Sequence, residues 1–396
     1  MEELPAELVH HIISLLAGDE HTLRNMSLTS SRFRQPSQRL LFSTLHLHCL
    51  RHGHKPSERL IKLLEAAPHI ASYVEEFKIE DGFQSYMNNA SWLTADLELH
   101  QALRLIPVER IKRLMIRLVW DILPIQTKTW ISEVCGSPFL TSLTLLGGVS
   151  VSLLDLCQNS MKNLRIYDIS PPHPAYESAR TRTTPLELRT LRIDYHHTGS
   201  VLHFPINHLV DPVSNIDLSK LKRLAVLVTG AKPVGPILDQ CTKSLEVFAM
   251  HMASENYNFG SGRTFDLSQF TNLRELVVCS DEYGSTTNVD PFVMVGETLR
   301  TITPQVPLQK IRLFFNAASV CHDMRPWRAL NAVILESRRY DPSRLKDVEI
   351  ELYFPKCKDP SARIHVAQRT FARLLVDSWG TGLVRLKATS TWYSPF

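Results

Sequence analysis

The sequence has few of the features that mark secreted or membrane proteins. No stretch approaches the roughly 18 apolar residues of a membrane-spanning helix, and the first twenty residues, MEELPAELVHHIISLLAGDE, are acidic where a secretory signal needs a basic flank. Cysteine is sparse, scattered and never arranged as Cys-x-x-Cys. The seven are Cys49, Cys135, Cys157, Cys241, Cys279, Cys321 and Cys357. This odd number argues against a disulfide framework and predicts reduced thiols in a cytoplasmic or nuclear protein.

Catalytic signatures are also missing from the sequence. It contains no GxGxxG, GxxxxGK[ST], HExxH or GxSxG motif. The densest group of possible zinc ligands is His46, His48, Cys49, His52 and His54. A structural zinc site needs four ligands at set spacings, and no second cluster accompanies this one. We therefore expect no metal, no cofactor and no catalytic activity, although a triad assembled in space would leave no local motif.

The overall composition is that of a folded protein with a weak charge. Apolar residues make up 44% of the 396 positions, and 44 Lys and Arg against 40 Asp and Glu leave a net charge of +4. This charge is too small to favour nucleic acid or an anionic membrane as a partner. Leucine supplies 55 residues. A chain of this length and leucine content favours several domains or one repeat array.

Residues 1–47 predict a module of three short helices. Leu4-Pro5 begins the first helix, where proline is tolerated in the first turn, and Gly18-Asp19 ends it. Apolar positions recur at helical spacing in all three segments. They are Leu8, Ile12, Leu15 and Leu16, then Leu23, Met26 and Leu28, then Phe33, Leu40, Leu41 and Phe42. So small a module buries little surface alone, and exposed leucines on it indicate a partner.

This module resembles the F-box family, whose pattern begins Leu-Pro-x-Glu-Leu and later shows Ser-Leu-Val-Cys, then a basic residue and, one further on, Trp. The matches are Leu4, Pro5, Glu7, Leu8, Ile12, Leu16, Leu23, Ser27 and Leu28. The sequence departs from the pattern at Thr29, Ser30, Ser31 and Phe33. The resemblance implies that the module binds a small Skp-type adaptor and, through it, a cullin. The adaptor-binding residues it implies are Leu4, Pro5, Leu8, Ile12, Leu16 and Leu28.

Beyond this module a relaxed L-x-x-L-x-L triplet recurs. It starts at Phe42, Val74, Ile111, Leu140, Leu164, Leu188, Leu221, Leu245, Leu273, Leu308, Leu345 and Leu383. The spacing of 24 to 38 residues is near or above that of leucine-rich repeats. Helix-like stretches lie between triplets, for example at 325–338 and 363–378, and loops are expected at 170–186, 252–266 and 280–291. The sequence therefore predicts an α/β fold in which an irregular leucine-rich-repeat-like solenoid of parallel strands and outer helices fills residues 48–396. An ordinary α/β domain is the alternative.

Together these features favour a substrate-recognition subunit of an SCF-type cullin-RING ubiquitin ligase, in which the F-box binds the adaptor and the repeats bind a target protein. A repeat scaffold without a ligase role is the alternative, and an unrecognised hydrolase is a more distant one. None of these interpretations involves nucleic acid or a membrane.

The target is expected on the strand face opposite the core, because side chains alternate along a strand. In each triplet the third, fifth and seventh positions face that way. The candidates are Arg223, Leu227, Val247, Val277, Lys310, Arg312 and Phe314, with Ala225, Ala249, His251, Glu275, Cys279, Asp347, Glu349, Glu351, Arg385, Lys387 and Thr389 beside them. The competing interpretation is that other segments cover the apolar stripe and that the charges pair across neighbouring strands.

Overall fold

A computed structural model gives the fold. It describes residues 4–49, 55–81, 91–167, 184–194, 204–228, 234–252, 265–280, 291–316, 331–332, 334–335, 345–353 and 383–389. The chain divides into two compact units, Met1–Leu186 and Glu187–Phe396. The division predicted from sequence, after residue 47, falls within the first of these units and stays a prediction.

The first unit begins with three helices, α1 (Ala6–Leu15), α2 (Glu20–Thr29) and α3 (Ser31–Leu41). Between the first two lies Gly18, whose φ of +100° is a left-handed conformation that favours glycine. The Asp19 carboxylate then caps α2 by accepting a hydrogen bond from the Thr22 N–H at 3.0 Å. Ser30 caps α3 in the same way through the Arg32 N–H. Side-chain caps therefore set the start of both later helices.

Five parallel strands follow in the first unit, and each pairs with the next along the chain. They are β1 (Thr44–His48), β2 (Glu76–Glu80), β3 (Arg113–Arg117), β4 (Ser142–Leu146) and β5 (Asn163–Tyr167). The segments between them form α4 (Pro56–Ala66), α5 (Trp92–Ala95), α6 (Leu99–Arg104) and α7 (Ile125–Cys135), with 3-10 turns at Pro68–Tyr73, Val108–Arg110 and Val151–Leu156. Parallel strands require such crossover connections.

The core of the first unit lies on one face of these strands. Leu45 of β1 is in register with Phe77 of β2, and Phe77 with Leu114 of β3. Phe77 has no exposed surface and its ring meets that of Trp130 from α7 edge to face, with 4.9 Å between ring centroids. The helices therefore pack on the strand face that the triplets make apolar, as period-two alternation requires.

The second unit repeats this organisation. Its strands are β6 (Leu186–Glu187, at the unit boundary), β7 (Thr190–Asp194), β8 (Ile216–Asp217), β9 (Arg223–Val228), β10 (Val247–Met252), β11 (Glu275–Ser280), β12 (Lys310–Asn316), β13 (Asp347–Tyr353) and β14 (Val384–Thr389). The described helices are α8 (Phe204–Val210), α9 (Gly235–Cys241) and α10 (Pro291–Arg300), with a 3-10 turn at Pro212–Ser214. The longer strands, from β7 to β14 without β8, pair in parallel and in chain order.

A row of apolar residues crosses the second unit from strand to strand. Leu224, Phe248, Leu276, Ile311 and Val348 are in register with one another. Each is at most 1% exposed. All five occupy the fourth position of a predicted triplet, so the triplets identify the core face correctly.

The prediction of an α/β fold with parallel strands is thus confirmed, with two corrections to the triplets. The triplet predicted from Leu164 is wrong, because Leu164 and Ile166 are both buried in β5 and the pattern begins at Met161. The last triplet begins two residues before Leu383, because Val384 pairs with Val348. The helix predicted at 363–378 lies outside the described residues, and of 325–338 only four residues are described, which are helical.

Candidate functional site

Helix α1 carries two apolar stripes, and only one of them faces the core. Val9 and Ile13 are buried and pack with Leu23 of α2. The other stripe points to solvent and is continued by Leu4 just before the helix. Leu4, Leu8 and Ile12 are exposed by 44 to 48%, and Leu15 by 73%. We name these four residues the leucine stripe. An apolar row of this kind on a small helical module is a surface suited to binding a protein.

The predicted adaptor residues divide between this surface and the module core. Leu4, Pro5, Leu8 and Ile12 are exposed, as is Leu28 on α2 at 81%. Leu16 is half-buried against the core formed by Val9, Ile13 and Leu23. Leu15 was not among the predicted adaptor residues, yet it is one of the most exposed apolar side chains. Its position at i+7 from Leu8 and i+3 from Ile12 was the available signal.

The predicted target face of the second unit is not an open surface. Its residues do share one face, because Leu227, His251, Cys279 and Phe314 form one row in register. However, Leu227, Val277 and Phe314 are only 1 to 4% exposed. The buried apolar cluster on this face consists of Ala225, Ala249, Val277, Cys279 and Phe314, with Val247 packed against it. At these positions both faces of the strands are thus apolar and buried.

The charged residues on that face pair across neighbouring strands. Glu349 of β13 lies 3.4 Å from the Lys310 ammonium and 3.6 Å from the Arg312 guanidinium of β12. Arg312 also lies 3.7 Å from Glu275 of β11. On the other side, Lys387 of β14 contacts Glu349. We name the charged residues that alternate across β11 to β14 the charge ladder.

A second set of ion pairs on the same strands extends the charge ladder at its edge. The Arg385 guanidinium of β14 donates a hydrogen bond of 2.9 Å to the Asp347 carboxylate of β13. Lys310 lies 3.8 Å from the same carboxylate. Lys310 and Arg312 therefore pair with acidic residues of neighbouring strands, as the competing interpretation from sequence expected. Arg223 remains exposed.

The charge ladder shifts two carboxyl groups on β13 in opposite directions. Burial alone would raise the pKa of Glu349, but Lys387, Arg312 and Lys310 outweigh that effect and hold its pKa below the ordinary value. The pKa of Glu351, two residues along, is raised by its burial and by the negative charge of Glu349. The partners of Glu349 therefore favour its charged form, whereas the surroundings of Glu351 disfavour the charged form.

The first unit presents a more exposed polar face. The Arg113 guanidinium of β3 donates hydrogen bonds of 2.8 and 3.0 Å to the Glu76 carboxylate of β2, and Lys78 lies 3.0 Å from Glu76. His46 of β1 lies 3.5 Å from Glu80. Burial lowers the pKa of His46 more than Glu80 raises it, so this imidazole is neutral at pH 7. The short cross-strand ion pair between Arg113 and Glu76 therefore orders this face too.

The histidine cluster that the sequence offered as a possible metal site is only partly described. The rings of His46 and His48 stack with centroids 4.3 Å apart, and His52 and His54 lie outside the described residues. Within the described ranges no three His, Cys, Asp or Glu side chains are grouped as metal ligands. Cys135 and Cys157 share a side-chain hydrogen bond, which together with burial raises the pKa of the Cys135 thiol. Both are free thiols.

No protein-family model matches the chain, and a search of curated proteins finds no significant match. Among the described residues no helix has both the length and the apolar character needed to cross a membrane. The residues and their geometry therefore carry the functional inference.

Proposed function

We propose that this protein is a substrate-recognition subunit of an SCF-type ubiquitin ligase, in which α1 to α3 form an F-box that binds a Skp-type adaptor. The observation that carries the proposal is the exposed leucine stripe on a three-helix module whose sequence resembles the F-box. The protein would hold a target close to the ubiquitin-charged enzyme, so its contribution is orientation and effective concentration, with no chemistry of its own.

The energetics of the module support this role. Fully burying one exposed leucine or isoleucine is worth roughly 1.5 to 3 kcal/mol. The stripe offers four such side chains, and Leu28 offers a fifth. Because these side chains leave the module core intact, they are available to a partner without disturbing the packing of Val9 and Ile13. The arrangement suits a stable, largely apolar contact.

We further propose that the strands belong to an irregular leucine-rich-repeat-like solenoid. Three features support it, namely parallel pairing in strict chain order, one strand for each triplet and a core face set by the triplet leucines. The face expected to bind the target is covered at Leu227, Val277 and Phe314. We therefore do not assign target binding to those three residues.

A repeat scaffold with no ligase role is the second candidate. The observation that favours it is the departure from the F-box pattern at Thr29, Ser30, Ser31 and Phe33. Phe33 occupies the position of the family's Trp and packs, partly buried, against the module core. At this position the side chain therefore stabilises the module itself. Capture of the adaptor decides between the two candidates.

The test is co-purification of the full chain with a Skp-type adaptor, comparing Leu8→Asp and Leu15→Asp with the unaltered protein. A charge in an apolar contact should weaken binding by about a hundredfold or more for each variant. Because both side chains are already exposed, the helices should keep their circular dichroism signal.

The matched control is His10→Asp, an exposed position on the opposite side of α1 from Leu8 at 3.6 residues per turn. It should leave capture unchanged. If the Leu8→Asp and Leu15→Asp variants captured the adaptor as well as the unaltered protein does, the F-box assignment would be refuted. If the unaltered protein bound no adaptor, the scaffold would be favoured.

A further inference from the structure

The five strands of the first unit have an open face opposite their core face. Along β3, Leu114 and Ile116 are buried in the core, whereas Arg113 is exposed and Met115 and Arg117 are half-buried on the other side. β2 and β5 show the same alternation. The corresponding face of the second unit differs, because it carries a buried apolar cluster. The open strand face of the first unit is therefore the one that a partner can reach.

Positive charge exceeds negative charge on the open strand face. β1 and β4 place no Asp, Glu, Lys or Arg there, and the other three strands place four cations and two carboxylates, namely Lys78, Arg113, Arg117, Arg165, Glu76 and Glu80. Glu76 already binds two of the cations, Arg113 at 2.8 Å and Lys78 at 3.0 Å. Arg165 also has an interaction partner. Arg117 is the cation that needs an explanation.

Arg117 lies at the end of β3 without a counter-ion. Its carbonyl accepts a hydrogen bond of 2.7 Å from the Asp81 N–H, but within the described part of the chain its guanidinium has neither a hydrogen bond nor an ion pair. Glu80 of β2 is in register with it, yet the Glu80 carboxylate lies 3.5 Å from the His46 imidazole on the other side. In the second unit, by contrast, Arg312 has acidic partners on both sides. Arg117 therefore loses part of its hydration without gaining a carboxylate.

We propose that Arg117 binds an Asp or Glu side chain of an extended partner segment that lies across the open strand face. A guanidinium presents a planar fork that matches a carboxylate with two parallel hydrogen bonds. Met115, on the same strand and face, offers apolar surface to a neighbouring side chain of the segment. A ligase subunit and a repeat scaffold both need a surface for a protein, so the proposal holds for either candidate function.

The neighbouring carboxylates favour a single acidic side chain over a dense run of negative charge. Glu76 and Glu80 both lie on β2, the strand next to Arg117. They repel further anions, so a nucleic acid backbone or a doubly charged phosphate is disfavoured relative to one carboxylate. The expected segment therefore carries an isolated Asp or Glu between uncharged residues.

The probe is a set of acetylated and amidated heptapeptides with Glu at the centre and Ala, Ser, Leu or Tyr elsewhere. Blocked ends remove terminal charges as a source of binding. Three matched sets carry Gln, Lys or phosphoserine in place of the central Glu, and binding to the full chain is measured by fluorescence anisotropy. The Glu set should bind at least about tenfold more tightly than the Gln set, because charge-assisted hydrogen bonds are stronger than neutral ones. The phosphoserine set should bind no more tightly than the Glu set.

Variants of two residues test the protein side. Arg117→Met keeps an unbranched side chain and should abolish the preference for Glu over Gln, whereas Arg117→Glu should reverse the preference towards the Lys set. Glu80→Gln removes a negative charge beside Arg117 and should strengthen binding of the Glu set about twofold or more. The matched control is Arg110→Met, which makes the same change at an exposed cation in the turn before β3 and should leave the preference unchanged.

Four results would each overturn the proposal: no binding of the Glu set, equal binding of the Glu and Gln sets, tighter binding of the phosphoserine set, or an unchanged preference in Arg117→Met. Reversal of the preference in Arg117→Glu would support it, and loss of structure cannot produce such a reversal. Arg117 lies outside α1 to α3, so adaptor capture by the Arg117→Met protein should be normal. That measurement separates failure of this proposal from failure of the F-box assignment.

Discussion

Replacing Glu349 with Gln should destabilise the second unit, whereas the same change at Glu351 should not. The Glu349 side chain is only 3% exposed and serves three cations, Lys310, Arg312 and Lys387. Breaking a fully buried ion pair costs about 3 to 5 kcal/mol. Because the three cations are 23 to 56% exposed and can regain water, we expect a smaller loss for Glu349→Gln, about 2 kcal/mol.

The Glu351→Gln variant is a matched control on the same strand and the same face. Burial and the neighbouring Glu349 raise the pKa of Glu351, so its carboxylate is disfavoured in the folded protein. A neutral amide removes that unfavourable charge. The variant should therefore be as stable as the unaltered protein or slightly more stable.

The pH dependence of the two variants should also differ. The folded pKa of Glu349 is lowered from its ordinary value of 4.5, so its stabilisation is complete above that value and is lost as the pH falls through the lowered folded pKa. Glu351 has a raised folded pKa, so its contribution is present at low pH and is lost as the pH rises through that folded pKa. The difference in stability between the two variants should thus narrow on acidification below about 4.5.

The assay is thermal unfolding by calorimetry at pH 7 and at acidic pH. A loss of about 2 kcal/mol corresponds to a fall in Tm of roughly 4 to 8 °C for a unit of this size. Equal melting temperatures for Glu349→Gln and Glu351→Gln at pH 7 would refute the reasoning. So would a difference between them that grows as the solution is acidified.

Three further predictions concern local structure. Asp96→Ala should destabilise the first unit by about 2 kcal/mol, measured by urea unfolding, because the buried Asp96 carboxylate accepts hydrogen bonds from the Ser57 N–H and hydroxyl. Asp96→Asn should lose less stability than Asp96→Ala. Gly18→Ala should cost about 1 kcal/mol by circular dichroism melting because of its positive φ, whereas Gly235→Ala, with open space and no positive φ, should cost nothing. Burial raises the pKa of Cys241 to about 12. Mass spectrometry should therefore find Cys241 unmodified by iodoacetamide at pH 8 until urea is added. Labelling of Cys241 in the folded protein would contradict this prediction.

The strands were predictable from sequence because the signal and its physical cause are both local. A residue such as Leu224 or Phe248 must alternate with its neighbours in direction, so a period-two apolar pattern identifies the core face directly. A triplet misplaced by two residues, as at Leu383, keeps the correct face. One misplaced by three, as at Leu164, reverses it, because three is odd.

The helical module was predictable only in part. Helix α1 has apolar residues on two adjacent stripes, and nothing within the helix tells whether Leu8 or Val9 faces the core. That choice depends on how α2 and α3 pack, since Leu23 closes over Val9 and Ile13. The sequence therefore located the module and named Leu8 and Ile12 as adaptor-binding residues, but it did not include Leu15 among them.

The covering of the second-unit strand face was predictable in principle. Ala225, Ala249, Val277 and Cys279 are small or apolar on the face that was expected to be open. Parallel strands that are apolar on both faces are typically buried on both. The sequence therefore contained the evidence that this second face is buried, but the triplet pattern describes only the core face.

The charge ladder also has a consequence for how the strands find their neighbours during folding. β12 and β14 both carry basic residues on this face, and β13 between them carries acidic ones. If β14 docked against β12 in the register that β13 holds, Arg385 would lie opposite Arg312, and like charges opposite one another are destabilising. The apolar faces of these strands are nearly interchangeable, so they discriminate little between partners. The alternation of charge along the sheet thus favours the native order of the strands. It also disfavours pairing with a strand from a second copy of the chain wherever basic side chains would lie opposite one another.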